Sequence, residues 1–242
     1  MGVQTASYLD AIEHLPDGAR LVFHQVPWEE YEKLLEDLED ERPHLRVSYD
    51  GGTLEVMSPR PEHEKYARFI DGLVRILAEI RDIPVECVGS ATWKRRRLAK
   101  GVEPDACYYL ASAGRVIGKR GIDLEVDPPP DVVVEIDLTT ESSRKFRIDA
   151  ALGVPEIWWY DDEQRQMSFH ELVSGSYVEI RESRFFTDLT PGASAIVSIQ
   201  DPIVLGDTTE LYPDVAVLAP RPDFYVDRPR RQVDHPQGDF FS

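Results

Sequence analysis

Three consecutive prolines, Pro128-Pro129-Pro130, run directly into Asp131-Val132-Val133-Val134-Glu135-Ile136-Asp137, and no other stretch of the chain restricts its fold so tightly. The prolines end any helix before them, and the β-branched run behind them reads as a strand over residues 131–138. Side chains alternate across a strand, so Val133, Glu135 and Asp137 share one face and Val132, Val134 and Ile136 share the other. An apolar run that closes on two carboxylates on one side has two explanations. Either the strand simply emerges into solvent, or the acids carry chemistry.

The surrounding pattern supplies partners for this strand. A short strand over 20–26 leads into Val26-Pro27-Trp28, which opens a helix through Tyr31, Leu34, Leu35 and Leu38. Glu29, Glu30, Glu32, Glu36, Asp37 and Glu39 form its acidic outer face. Leu45–Tyr49 and Thr53-Leu54-Glu55-Val56-Met57 flank Asp50-Gly51-Gly52, a hairpin signal. After Ser58-Pro59 comes a long helix, with Tyr66, Phe69, Ile70, Leu73, Leu77 and Ile80 at helical spacing. Strands are expected at 84–88 and 106–110, then a helix over 141–152 closed by Gly153. Strands at 157–160, 167–171 and 176–180 read as antiparallel. The order predicts an α/β fold: a mixed β-sheet core flanked by helices, with added antiparallel strands. We place one domain at 1–206, its core at about 45–160. Prolines at 213, 220, 222, 229 and 236 mark 207–242 as a Pro-rich C-terminal tail.

A second acid turns the balance toward chemistry. Glu103-Pro104-Asp105 immediately precedes Ala106-Cys107-Tyr108-Tyr109-Leu110, so pairing of this strand with 131–138 would bring Asp105, Glu135 and Asp137 together. At about 4 Å and an effective dielectric near 20, each carboxylate pair repels by about 4 kcal/mol. Such a cluster takes up a proton or a cation, and hard oxygen ligands open to water suit Mg²⁺ or Mn²⁺. In the following helix Lys145, Ile148, Asp149 and Leu152 share a face. If Ile148 and Leu152 meet the sheet, Lys145 is carried toward the acids, where it could orient water or stabilise phosphate charge; otherwise it is an ordinary snorkelling lysine. Glu62 and His63 lie on or beside the stripe of the long helix and could look into the site as accessory groups.

Charge argues against nucleic acid as a partner for the whole chain, with 27 basic and 45 acidic residues and a net −18. The distribution softens this. Residues 92–147 carry 11 Lys or Arg against 9 Asp or Glu, and Lys94, Arg95, Arg96, Arg97 and Lys100 fall within eight positions of one another. That run is either a solvated loop or a grip on phosphates. Cys87 and Cys107 are too few for a disulfide framework and wrongly spaced for zinc. No apolar run is long enough for a bilayer and the N-terminus lacks a signal pattern, which points to a cytoplasmic chain without membrane contact.

Taken in order, Gly101-Val102-Glu103-Pro104-Asp105, Val133-Val134-Glu135-Ile136-Asp137 and Leu152-Gly153-Val154-Pro155-Glu156-Ile157-Trp158 resemble the Uma-two family of bacterial proteins assigned as restriction endonucleases. Ser58-Pro59-Arg60-Pro61-Glu62-His63-Glu64 is similar to that family's approach to its first core helix. The resemblance spans about residues 28–199. It implies the PD-(D/E)XK nuclease superfamily: a restriction-endonuclease-like core, a metal-dependent endonuclease site, DNA as default substrate, and a homodimer as a common assembly. Pro104-Asp105 matches the PD of the pattern and Glu135 its second acid. Where the pattern has lysine, two residues after that acid, this chain has Asp137. Members of the family often carry a basic residue in the next helix instead, a place Lys145 matches. Asp149 stands where relatives commonly have tyrosine. A shorter echo of the PD strand at Leu211–Leu218 has no acid pair behind it and makes no second site.

The expectation is therefore a hydrolase of phosphodiester bonds, with Mg²⁺ or Mn²⁺ on Asp105, Glu135 and Asp137. Lys145 would be the charge stabiliser, with nucleic acid held by Lys94, Arg95, Arg96, Arg97 and Lys100. Two rivals stand beside it. Asp137 and the net charge favour an inactive nuclease-fold binding module, and the acidic first helix favours a protein-interaction role. A carboxylate-pair glycosidase lacks an obvious aromatic platform beyond Trp158 and Trp159.

Overall fold

The structure is a computed structural model that describes residues 8–191 except 10, 13, 42–44, 138–142 and 188, together with the short pairs 197–198, 203–204, 210–211 and 216–217. The chain divides into two compact units, 1–192 and 193–242, whereas composition starts the tail at 207. In the second unit β12 (Val197–Ser198) pairs with β15 (Ala216–Val217), and β13 (Ile203–Val204) with β14 (Glu210–Leu211), both antiparallel. Residues 212–215, at the heart of the echoed PD motif, lie outside the described residues.

The first unit holds two sheets. The first takes β1 (Arg20–Phe23), β2 (Arg46–Asp50), β3 (Thr53–Met57), β5 (Trp93–Arg95) and β6 (Lys100–Val102) in the order β1-β3-β2-β6-β5, all neighbours antiparallel. Asp50 faces Thr53 across a two-residue turn in which Gly51 and Gly52 both have positive φ, 54° and 97°. That is the twist-matched hairpin turn the glycines promise. Helix α1 (Trp28–Glu41) covers one face, burying Trp28, Tyr31, Leu34, Leu35 and Leu38 against Val47, Tyr49, Leu54 and Val56. Gly101 is needed for this approach, since a Cβ there would sit within 2.0 Å of the Tyr31 hydroxyl.

The second sheet runs β11 (Ser176–Ile180), β10 (Gln166–Val173), β9 (Glu156–Asp161), β8 (Val132–Asp137), β7 (Ala106–Tyr109), β4 (Glu86–Cys87). It is mixed, as expected: β8 and β9 are parallel and every other pair is antiparallel. Helix α3 (Ser143–Leu152) makes the crossover that a parallel pair requires. Alternation places Val132, Val134 and Ile136 under helix α2 (Pro61–Ile80), and Val133 with Cys107 and Tyr109 under Ile148 and Leu152 of α3.

Two local expectations need correction. The buried stripe of α2 is His63, Ala67, Ile70, Val74 and Ala78, while Phe69 and Ile80 are more than half exposed. Small residues let the helix lie close on the sheet, so size was the wrong guide. The basic run is also no loop: Lys94 to Lys100 forms a tight hairpin of β5, a 3-10 turn and β6. Cys107 is buried and Cys87 half-buried, both as free thiols. Among the described residues no helix is long and apolar enough to cross a membrane.

Candidate active site

The pairing of β7 with β8 puts Ala106 opposite Val134. One step further, Asp105 stands beside Glu135, and the backbone fixes it there. The Asp105 N–H donates to the Val134 carbonyl at 3.1 Å, and the Ile136 N–H donates to Asp105 Oδ2 at 2.8 Å. Both carboxylates are buried, at 4% and 1% exposure. Asp105 Oδ1 has His63 Nδ1 at 3.4 Å and Arg46 Nε at 3.9 Å, but neither is a formed hydrogen bond. Glu135 Oε2 accepts from Lys145 Nζ at 2.6 Å, and its Oε1 has no partner.

Four elements thus converge. Sheet one sends Arg46 from the start of β2, α2 sends His63 from its first turn, the second sheet supplies the acids, and α3 supplies Lys145 and Asp149. Lys145 reaches the acids because Ile148 and Leu152, on its own face, are pinned in the core. Arg144, its neighbour, reaches back to Glu55 of β3 at 3.3 Å. Glu103, just past β6, braces the first sheet beside the site, accepting from the Val47 N–H at 3.0 Å and from the Thr92 hydroxyl.

The charges are unevenly held. Burial works against ionised Asp105, but the His63 ring, the Lys145 charge and the Ile136 N–H outweigh it and keep its carboxyl below the ordinary range. Burial pushes Glu135 up to about 7, with Asp105 adding to the rise and Lys145 restraining it. Burial also opposes the charge on Lys145, yet Glu135 and Asp105 prevail and hold the ammonium above its usual value. Asp149, fully buried with both oxygens unpartnered, is raised well above a normal aspartate by burial and by Glu135.

Other expected residues are placed differently. Asp137 is half-buried on the face of Glu135, one step nearer the strand end. Among the described residues, no three His, Cys, Asp or Glu side chains gather closely enough to hold a metal on their own. Glu62 is exposed. The basic hairpin is largely answered from within. Lys94 pairs with Glu32 at 3.3 Å, Arg96 with Glu32 at 2.6 Å and with Glu29, Arg97 with Glu125 at 3.5 Å, and Lys100 with Asp50. Arg95 donates to the carbonyls of Leu124 and Leu152. Arg46 escaped sequence reasoning altogether; its only signal was a strand face, Arg46 and Ser48, opposite Val47 and Tyr49.

No curated protein matches the chain. One solved structure it is similar to is the crystal structure of "a putative nuclease belonging to DUF820" from Anabaena variabilis ATCC 29413. The two share 12% identity with a TM-score of 0.47 over 71% of this chain and 88% of that one. The model of the family described as "Putative restriction endonuclease" matches residues 28–191, from the start of α1 to beyond β11. That is well over half of the sequence, and the chain belongs to the Uma2 family.

Proposed function

We propose that this chain is a divalent-metal-dependent nuclease that hydrolyses phosphodiester bonds, with DNA as its substrate. The carrying observation is a pair of buried carboxylate oxygens, Asp105 Oδ1 and Glu135 Oε1, side by side on adjacent strands and both without a hydrogen-bond partner. Unsatisfied buried acceptors are costly, and two of them on residues that stand side by side suit a hard cation. Asp105 and Glu135 would hold Mg²⁺ or Mn²⁺, Asp137 would assist directly or through water, and water would fill the other positions, as these ions prefer. When bound, the ion would supply Lewis-acid polarisation of a phosphate oxygen and a more acidic water.

The chain's own groups do the rest. The buried Ile136 N–H fixes the rotamer of Asp105, so its free oxygen is held ready. Lys145 keeps its proton and sets a positive charge at Glu135, where developing phosphate charge can be stabilised. It replaces, from the next helix, the cation that Asp137 cannot be.

Thermal unfolding with Mn²⁺ or Mg²⁺, beside cleavage assays on DNA and RNA, tests this. The metal should raise the melting temperature of the wild type, and Asp105→Ala and Glu135→Gln should lose most of that rise together with cleavage. Lys145→Ala should cut turnover about a hundredfold, on the order of 3 kcal/mol, while metal affinity stays intact or improves as a cation leaves Glu135. Full metal stabilisation in Glu135→Gln would remove that residue as a ligand. A wild type that binds metal and cuts neither nucleic acid would turn the reading to an inactive binding module.

A further inference from the structure

We infer that Arg46, with His63 beside it, forms an anion subsite that takes a backbone phosphate of the bound nucleic acid next to the acid pair. This names the contact by which the proposed substrate is held, and so rests on the function proposed above.

Arg46 is an unusual arginine. Its side chain is 9% exposed, and its Nε is buried without a hydrogen-bond partner. Its nearest carboxylate oxygen is Asp105 Oδ1, 3.9 Å from Nε, beyond hydrogen-bond reach. A guanidinium carries five donors in a rigid fork, and burying even one of them unmet is expensive. His63 lies with it, also buried and with Nδ1 unpartnered. Strand alternation sets the direction: Val47 and Tyr49 enter the α1 core, which sends Arg46 and Ser48 to the opposite face of the sheet.

That face opens on space of the right kind. Arg46 and His63 line a cavity of about 450 Å³ together with Ser58, Arg60, Arg68 and Ser90. Ser90 also borders a cavity of about 350 Å³ that reaches Asp105, and one of about 310 Å³ that Arg46 shares with Lys94. Three hollows thus meet at Ser90, with the candidate metal ligand on one wall. Acids line them too, but Arg68 is already paired with Glu64 and Arg75 with Asp71. Among the described residues Arg60 has no carboxylate at ion-pair distance, and Arg46 has only Asp105, at the long distance of 3.9 Å. A planar fork of donors suits a tetrahedral anion with several acceptor oxygens better than the point charge of a lysine would.

The test uses two probes that do not depend on cleavage. Inorganic phosphate should raise the melting temperature of the wild type, and a labelled DNA duplex in Ca²⁺ should bind with a steep salt dependence. Arg46→Gln should abolish the phosphate effect, weaken duplex binding at least tenfold and flatten the salt slope by about one unit. Arg46→Lys should recover part of both, and exposed Arg60→Gln should show a smaller loss of the same kind. In cleavage assays Arg46→Lys should raise KM more than it lowers kcat. A folded Arg46→Gln that binds phosphate and duplex as wild type does would overturn the subsite. If Arg46→Gln fails to fold, wild-type binding by both Arg46→Lys and Arg60→Gln would overturn it equally. A protein that binds phosphate through Arg46 yet cuts nothing with Mg²⁺ or Mn²⁺ would instead sink the nuclease reading and leave the subsite standing.

Discussion

Around Lys145 one carboxylate stands apart: Asp149, whose two oxygens are both buried without a partner. Burial, then the charge of Glu135, lifts its folded value well above normal, with only Lys145 acting the other way. A raised value favours the folded chain fully below the unfolded pKa of about 3.9. That contribution is lost as pH climbs through the folded value. Asp149→Asn should therefore raise the melting temperature of the metal-free protein at pH 8, by about 2–4 °C for each kcal/mol regained, and the gain should shrink as pH falls toward 4. A gain that did not vary with pH would assign the effect to packing. The same scale shows what a linear reading can and cannot find. Alternation sets the face of Glu135 and helical spacing the face of Lys145, because each rule relates neighbours in sequence. Asp105 joins them only through an assumed strand pairing, and the roles of all three come from the family resemblance. Arg46 follows from neither rule, since an arginine alternating with valine and tyrosine describes a solvent-facing strand just as well. Only the arrival of α2 and the second sheet over that face buries it.

Helix α1 and the β5–β6 hairpin are the elements whose charges answer each other. Glu29 and Glu32 pair with Lys94 and Arg96 at positions largely open to water. Such pairs contribute about 0–1 kcal/mol, so a phosphate backbone could displace the carboxylates with little loss. We expect Glu29→Gln with Glu32→Gln to leave folding almost unchanged, strengthen DNA binding and steepen its salt dependence by up to about one unit per freed cation. Unaltered affinity would make the hairpin a purely structural piece. The hairpin was hidden in the sequence because its strands carry no apolar alternation, with buried Trp93 and Val102 the only hints. The stripe of α2 was misplaced for a related reason. Tyr66, Phe69 and Leu77 are larger than Ala67 and Ala78, yet close packing on a sheet selects the smaller face.

For the molecule as a whole, the mixed sheet was legible because a helix between two strands implies a parallel crossover, while the first sheet was visible only as the strand over 20–26 and the β2–β3 hairpin. The family match ends at residue 191 and the first compact unit at Gly192. A chain ended at Gly192 should then unfold in one cooperative step and keep the metal response of the full protein. Loss of either would show that residues 193–242 help to build the site. Within the first unit the site draws on positions 46, 63, 105, 135 and 145, about a hundred residues of chain, and β9 must close the sheet behind them. This has a consequence in time. While the protein is being synthesised from its N-terminus, the acid at 105 has only Arg46 and His63 for company until β8 brings Glu135, and Lys145 arrives only with α3. Under the function proposed above, a chain that stops short of α3 holds an incomplete acid-and-lysine site, so cleavage would belong only to a chain that has passed it.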